Sequence, residues 1–335
     1  MRTFKHAALL ATTLAALAAC SGGDSATKPA DGSAPAATAA AGDKLNTRFV
    51  TIATGGASGP YNIIATALAE TYAKQFGVNS KTQTTGASVE NINLINQNKA
   101  EMAFVMSDVL SDAVNGVNSF PQKIDTVEQI AALYPNYVQV VTSGKSGIKT
   151  LADLRGKRVA VGAQNSGVEV NARNLINGFG MTYDDLKVDY LGYAEAADAL
   201  KSGKIDAAFL TSGLPNSSLM ELQQGFDMQL VSIPADRVTD IAKDKPYFVS
   251  LVIPKGTYGN AEDIPTAAIR NALVVNKSLS EDDVYRLTKS FFDNLGVLQT
   301  AHQAAKEISL DSAKDGFVAP MHPGAKKYYD EVAGQ

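Results

Sequence analysis

Five short stretches of small polar residues fall where a strand hands over to a helix. The first is Gly55-Gly56-Ala57-Ser58-Gly59-Pro60-Tyr61. At a helix start such residues leave backbone N–H groups open, and with the helix dipole they make a site for an anion, about 0.3–2 kcal/mol from the dipole alone. Pro60 suits the first helical position, where no N–H is needed. The stretch is not a P-loop, since no Gly-Lys-Ser/Thr follows, and it lacks the spacing of a dinucleotide fingerprint. Taken alone, a tight turn without a ligand is the plainer reading.

The second stretch, Thr85-Gly86-Ala87-Ser88-Val89-Glu90-Asn91, sets Ser88 and Asn91 three apart on one helical face. They serve there as caps or as donors into a cleft. Ser107-Asp108 is the third, with Ser107 a cap and Asp108 either complementing the dipole or facing a ligand. The fourth, Gln164-Asn165-Ser166-Gly167-Val168-Glu169, repeats the first, and Glu169 with Arg173 reads as a surface ion pair. The last is Thr211-Ser212-Gly213-Leu214-Pro215-Asn216. One such turn means little, but two from separate lobes describe a cleft that closes on a small anion. In open α/β sheets ligands bind outside the carboxyl ends of strands, where all five turns would lie.

Alternating strand and helix patterns position these turns. Strands are expected over 48–54, 81–84, 102–106, 157–161, 188–191, 207–210, 228–233 and 249–253, with a further run through 269–275. Two apolar runs, 130–134 and 137–142, are divided by Pro135-Asn136. Helices are expected over 60–76, 89–98, 108–114, 167–179, 195–201, 217–224, 281–294 and 296–307. The alternation gives an α/β protein with largely parallel sheets. A loose echo of strand, glycine loop and helix in the two halves suggests two similar lobes, with a boundary in the turn-rich 143–147.

The chain has 335 residues, enough for about two domains. Its 30 Lys and Arg against 34 Asp and Glu give a net charge of −4, with no basic stripe, so nucleic acid is not an expected partner. Three His and one Cys argue against a metal site, and one Cys excludes a disulfide within the chain. No cofactor is expected.

The single Cys lies at position 20, after Arg2, Lys5 and an apolar stretch over 7–19. Thirteen helical residues span roughly 20 Å, short of a roughly 30 Å hydrocarbon core, so residues 1–19 read as a signal peptide. Leu17-Ala18-Ala19-Cys20 resembles a lipobox, which makes Cys20 a lipidation site. Several acyl chains form a durable anchor at about 0.8 kcal/mol per buried CH2. The remainder of 20–46 is Ala, Gly, Ser, Thr, Pro and Asp, too poor in apolar area to order, and reads as a flexible tether of roughly 25–30 Å reach. The expected mature protein is periplasmic, anchored to a bacterial membrane and a monomer.

In order along the chain, TGGASGPYNIIATALAE (54–70), TTGASVENINLI (84–95), EMAFVMSD (101–108), LYPNYVQVV (133–141), GIKTLADLRGKRVAVGAQNSGVEVNARNLI (147–176) and SGKIDAAFLTSGLPNSSL (202–219) resemble the TAXI subfamily of TRAP-transporter substrate-binding proteins. The resemblance implies a two-lobed periplasmic-binding-protein fold of class II, each lobe a mostly parallel sheet flanked by helices, with the cleft between them. Residues 47–142 with 249–335 would form one lobe and 143–248 the other. It further implies a receptor, not an enzyme, that delivers a small carboxylate or amino acid to a sodium-coupled TRAP membrane subunit of fused small and large parts. Glutamate or a related C5 dicarboxylate leads. Two departures bear on the ligand: Val168 stands where the family often has Thr, and Asn62 replaces an aromatic residue.

On this reading Gly56, Ser58 and Gly59 from one lobe, and Asn165, Ser166 and Gly167 from the other, supply donors to carboxylates. Ser88, Asn91 and Asp108 line the first lobe, with Asp108 a partner for an ammonium group. Tyr61 and Tyr137 give apolar walls and hydroxyls, and Gly213 and Pro215 complete the site. A receptor of an ATP-driven importer and a sensor are alternatives of the same fold. A serine hydrolase using Ser58 is the remaining one, although the mature His residues, His302 and His322, lie near the chain end and no G-x-S-x-G is present.

Overall fold

The computed structural model describes residues 44–334. The signal-peptide, Cys20 and tether expectations lie outside the described residues, apart from the last few tether positions. The strands are β1 Phe49–Ala53, β2 Asn79–Gln83, β3 Met102–Met106, β4 Val127–Ser143, β5 Arg158–Ala160, β6 Lys187–Asp189, β7 Ala207–Ser212, β8 Met228–Val231, β9 Val249–Ile253 and β10 Ile264–Asn276. The helices are α1 Pro60–Phe76, α2 Ser88–Asn96, α3 Ser107–Asn115, α4 Gly167–Gly178, α5 Tyr193–Lys201, α6 Ser217–Leu222, α7 Ala235–Ala242, α8 Glu281–Asp293, α9 Leu295–Ala301 and α10 Pro323–Ala333.

All ten strands join one sheet in the order β2-β1-β3-β10-β4-β7-β5-β6, with β8 beside β4 and β9 beside β10. The outer pairs are parallel, as the βαβ alternation demands. The centre is antiparallel, because β10 runs against β3, β4 and β9, and β4 runs against β7 and β8. The sheet is therefore mixed and continuous rather than two mostly parallel sheets. Two long strands account for this. β4 pairs with β10 up to Tyr137 and with β7 from Tyr137 onward, while β10 pairs with β9 up to Ala268 and with β3 from Asn271. Each strand runs through both halves of the sheet.

The expected break at Pro135-Asn136 is absent: β4 is one strand of 17 residues. Pro135 has no N–H to give the ladder, and it sits opposite Arg270 where the register slips before Ala272. A bulge is the place where a strand tolerates proline. The expected helix over 296–307 also divides, since His302 adopts an extended conformation that ends α9 and caps a 3-10 turn over Gln303–Glu307. Helices α7 and α10 carry no counterpart in the sequence reading, although Pro323 at the start of α10 was a usable signal.

Helices cover both faces. In the first half, Ile64, Leu68 and Tyr72 of α1 join Leu287 and Phe291 of α8 in one core cluster, all fully buried. Ile92 and Ile95 of α2 pack with Val109 and Leu110 of α3 on the opposite face. In the second half, α4 and α7 contribute Leu175, Ile176, Val238 and Ile241 to one cluster, and α5 and α6 contribute Ala196, Leu200 and Leu219 to another. Each such Leu, Ile, Val or Phe side chain contributes about 1.5–3 kcal/mol on burial. These layers fix the helix starts around one opening.

Candidate ligand-binding site

A cavity of about 510 Å3 opens where the strand ends of the two halves face each other. The turns after β1, β2, β5 and β6 line it, together with Met106 at the end of β3, Asn136 of β4, and Thr211 and Ser212 of β7. Its size suits a small molecule, and its position at the carboxyl ends of parallel strands follows the rule for open α/β sheets.

Five helices begin on its wall. The residues that precede α1, α2, α3, α4 and α5 are Gly59, Ala87, Met106, Ser166 and Gly192, and all five line the cavity. Ser166 caps α4 in the ordinary way, its Oγ accepting from the Glu169 N–H at 3.1 Å. The other four helices have no side-chain cap. The first N–H groups of a helix have no intrahelical partner, so these starts turn positive dipole ends to the cavity. Two starts already have N–H groups engaged: the Glu90 N–H of α2 donates to the Asn165 carbonyl, and the Val109 N–H of α3 to the Asp108 carboxyl. Gly59, Ala87, Met106 and Gly192 are residues that cannot cap with a side-chain oxygen.

The remaining wall is largely apolar, with Ala57, Pro60, Tyr61, Ala163, Val168 and Tyr193 among its members. Among the described residues no Lys, Arg or His lines the cavity, and Glu195 is its one charged side chain. Tyr61 does not offer a free hydroxyl, because it donates to Asn271 Oδ1. Burial, with Tyr134 and Tyr193 nearby, holds that phenol well above its ordinary pKa. The Tyr193 hydroxyl donates to the Thr211 carbonyl at 2.6 Å. By contrast Asn136 Oδ1 and Thr211 Oγ1 are buried with no partner. An unpaired buried polar group costs about 1–3 kcal/mol.

Of the residues singled out by sequence, Gly56, Ser58, Gly59, Tyr61 and Ser166 come together on the cavity wall. The others do not line it. Asn91 is fully buried, donating to the Thr54 carbonyl at 2.5 Å and the Phe104 carbonyl at 2.8 Å. Ser88 accepts from the Met106 N–H at 3.1 Å. Asp108 is fully buried and takes a 2.6 Å hydrogen bond from Asn171, which puts it behind the wall rather than before an ammonium group. Burial pushes its carboxyl up to about 7, against the pull of the Val109 N–H and Asn171. Tyr137 joins a core cluster, and Gly213 fits closely against Tyr134 and Ala304 just before Pro215. Asn165 gives its carbonyl to Glu90, and Gly167 packs on Met106 and Ser88.

Sequence reasoning missed Thr84, Asn136, Tyr193, Ala194 and Glu195, and it quoted Thr211 without assigning it to the site. For Tyr193 to Glu195 a signal existed: Gly192 stands at a strand-to-helix turn like the other five. Nothing marked Asn136, which lay inside the supposed break.

The two halves touch on both sides of the cavity. On one side Ser217 Oγ donates to the Ser58 carbonyl at 2.6 Å, and Ser218 Oγ donates to Ser58 Oγ at 3.0 Å. On the other side the Glu90 N–H donates to the Asn165 carbonyl at 3.3 Å. A Cβ on Gly86 would meet the Gln164 carbonyl oxygen at 2.8 Å, and one on Gly167 would meet Met106 Sδ and Ser88 Oγ at 2.9 Å. The halves are thus closed over the cavity. Among the described residues both His side chains serve as caps, His302 Nδ1 accepting from the Ala304 N–H and His322 Nδ1 from the Gly324 N–H. Among the described residues no group of His, Cys, Asp and Glu is arranged to hold a metal ion, and no helix is long and apolar enough to cross a membrane.

This architecture is that of the periplasmic binding proteins. The periplasmic binding protein BugD superposes with a TM-score of 0.55 over 86% of this chain and 96% of its own, at 13% identity. A protein of Bordetella bronchiseptica gives a TM-score of 0.52 at 19% identity, over 86% of this chain and 83% of its own. A periplasmic transporter gives 0.51 at 14% identity, over 86% and 94%. At these identities the likeness is one of fold. The chain belongs to the NMT1-like family, matched over residues 52–333.

Proposed function

We infer that this protein is an extracytoplasmic solute receptor that captures a small carboxylate in the cavity between its two halves. The observation that carries the reading is the convergence of five helix starts, four without side-chain caps, on one cavity that no Lys, Arg or His lines among the described residues. Converging N–H groups and dipole ends suit a negative charge where no cation is provided. The sequence resemblance to TAXI receptors places glutamate and related C5 acids first and names a sodium-coupled TRAP membrane subunit as the recipient. The family and the fold support a receptor in general, and Cys20 supports a lipid anchor that holds it in the periplasm.

Binding is a hinge motion in this account. The lobes are taken as 47–142 with 249–335 and 143–248, and the exchange of partners by β4 and β10 near Tyr137 and Ala268 supports a hinge on those two strands. The solute bridges helix starts from both lobes and so favours the closed form, by as much as its contacts differ between the two forms.

Isothermal titration of the full-length protein against glutamate, glutamine, 2-oxoglutarate, 2-hydroxyglutarate, malate and succinate tests the reading. Saturable binding of at least one acid, with Kd below about 100 μM, is the expected result. Heat signals from none of them would remove the carboxylate assignment. The same fold serves an ATP-driven importer, and co-purification from membranes with a many-helix subunit or with an ATPase separates the two.

A further inference from the structure

One acid on the cavity wall stands without a partner. Glu195 lies in the first turn of α5 and is the one charged side chain among the described residues that line the cavity. The first turns of α2, α3 and α4 carry acids too, and each of those is engaged within the protein. Glu90 accepts from the Gly86 N–H at 2.6 Å, and Asp108 from Asn171 at 2.6 Å. Glu169 accepts from Arg173 at 3.0 Å and from the Tyr183 hydroxyl at 2.9 Å. Glu195 is exposed, and none of the ion pairs among the described residues includes it.

Gly192 makes room for this carboxylate. A Cβ on Gly192 would come to 2.5 Å of Glu195 Oε2 and 3.5 Å of its Cδ, so the side chain folds back over the Gly192 Cα, which itself lines the cavity. The backbone does not call for glycine there, because φ is −70° and ψ 177°, an extended conformation open to any residue. What glycine supplies is close approach. The next residue, Tyr193, reaches across to the start of α1, where a Cβ on Gly59 would meet its Cε2 at 3.2 Å. The carboxylate thus sits on a wall whose other helix starts suit a negative charge, beside the uncapped start of α1.

We propose that Glu195 receives the ammonium group of an α-amino acid whose carboxylate lies against the helix starts. This rests on the carboxylate-receptor reading and names the class of solute. An ammonium on the carbon next to the carboxylate brings three donors to Glu195 and offsets the repulsion between the two carboxylates. A 2-oxo acid brings an acceptor to the same place, and a 2-hydroxy acid one neutral donor. No Lys, Arg or His lines the cavity among the described residues to take up the Glu195 charge in their stead. The ammonium partner is therefore Glu195, on the wall, and not Asp108, which lies behind it.

Glutamate and 2-oxoglutarate differ at the α-carbon alone, so their affinities for the full-length protein, stripped of carried solute by unfolding and refolding, are the test. Glutamate is expected to bind at least ~10-fold more tightly. Glu195→Gln keeps the shape and removes the charge; it should weaken glutamate ~10-fold and bind 2-oxoglutarate at least as tightly as the parent does. Gly192→Ala keeps the charge and pushes the carboxylate from its place, and it should weaken glutamate more than 2-oxoglutarate. Thermal melts of the solute-free variants, expected within about 2 °C of the parent, report that they fold. Binding of 2-oxoglutarate as tightly as glutamate by the parent would overturn the assignment and leave the carboxylate receptor standing. Equal losses for both solutes in Glu195→Gln would do the same, as would binding of malate or succinate with no binding of glutamate or glutamine. Binding of none of these acids would remove the assignment together with the carboxylate reading beneath it.

Discussion

Asn171 on α4 donates a 2.6 Å hydrogen bond to Asp108 Oδ2 on α3, tying the two halves together through a fully buried amide and carboxyl. The other oxygen of each group, Asp108 Oδ1 and Asn171 Oδ1, has no partner. Protonation of Asp108 turns Oδ1 into a donor and lets acid and amide pair through both oxygens. Asp112 on the same helix raises the Asp108 pKa further, and Tyr61 and Tyr247 face the carboxyl from α1 and from the segment before β9.

Asp108 should make stability fall as pH rises. Its carboxyl stands at about 7 in the folded protein against an ordinary 3.8, so the folded state keeps a proton that the unfolded state has lost. Its contribution is present in full below about pH 4, is lost as pH climbs to about 7, and is constant above that. At most this amounts to on the order of 4 kcal/mol. His302 and His322, lowered by burial, act in the opposite sense as pH falls below their ordinary value. The comparison with Asp108→Asn therefore isolates the effect. Urea unfolding from pH 4.5 to 8 should show the parent losing stability relative to the variant as pH rises. A constant difference across that range would contradict the assignment.

Asn91 is a structural residue by its contacts. It donates to the Thr54 and Phe104 carbonyls and accepts from Thr85 Oγ1 at 2.6 Å, beneath the turns. Asn91→Leu removes both of these donated bonds and the acceptor of Thr85, leaving the Thr54 carbonyl to Thr85 Oγ1 alone, and should cost about 2–4 kcal/mol in urea unfolding. A change below about 0.5 kcal/mol would show that the turns are held by other means.

Closure should depend on Gly86. A Cβ there comes to 2.8 Å of the Gln164 backbone oxygen, in a contact made between the two halves. Gly86→Ala is expected to leave the melting temperature of the solute-free protein within about 2 °C of the parent while weakening solute ~10-fold, or about 1.4 kcal/mol. Titration calorimetry beside thermal melts separates the two effects. Unchanged affinity would mean that this contact is not part of the bound state.

Much of the frame was legible because it rests on local rules. The start of α1 follows from Pro60, the ion pair of Glu169 and Arg173 from helical spacing, and the strand-helix alternation from apolar periodicity. Pro135 misled, since proline breaks a strand on its own but is accommodated by a bulge that depends on a partner over 130 residues away. The turns on the cavity wall were visible as glycine-rich starts. The unpaired atoms of Asn136 and Thr211 were not visible, because what fails to bond them emerges when β4 meets β7. Ser88, Asn91 and Asp108 share a helix-start composition with true wall residues, and packing decides which face the cavity.

The central claim is that a carboxylate is held by uncapped helix starts in this cavity. The most direct measurement is the thermal melt of the full-length protein with each acid and with its methyl ester, which keeps the shape and removes the charge. A solute at 100 times its Kd adds about 2.7 kcal/mol, which raises Tm by several degrees in a chain of this size. The account predicts that shift with at least one free acid and none with the corresponding ester. An equal shift with acid and ester, or no shift with any acid, would contradict it.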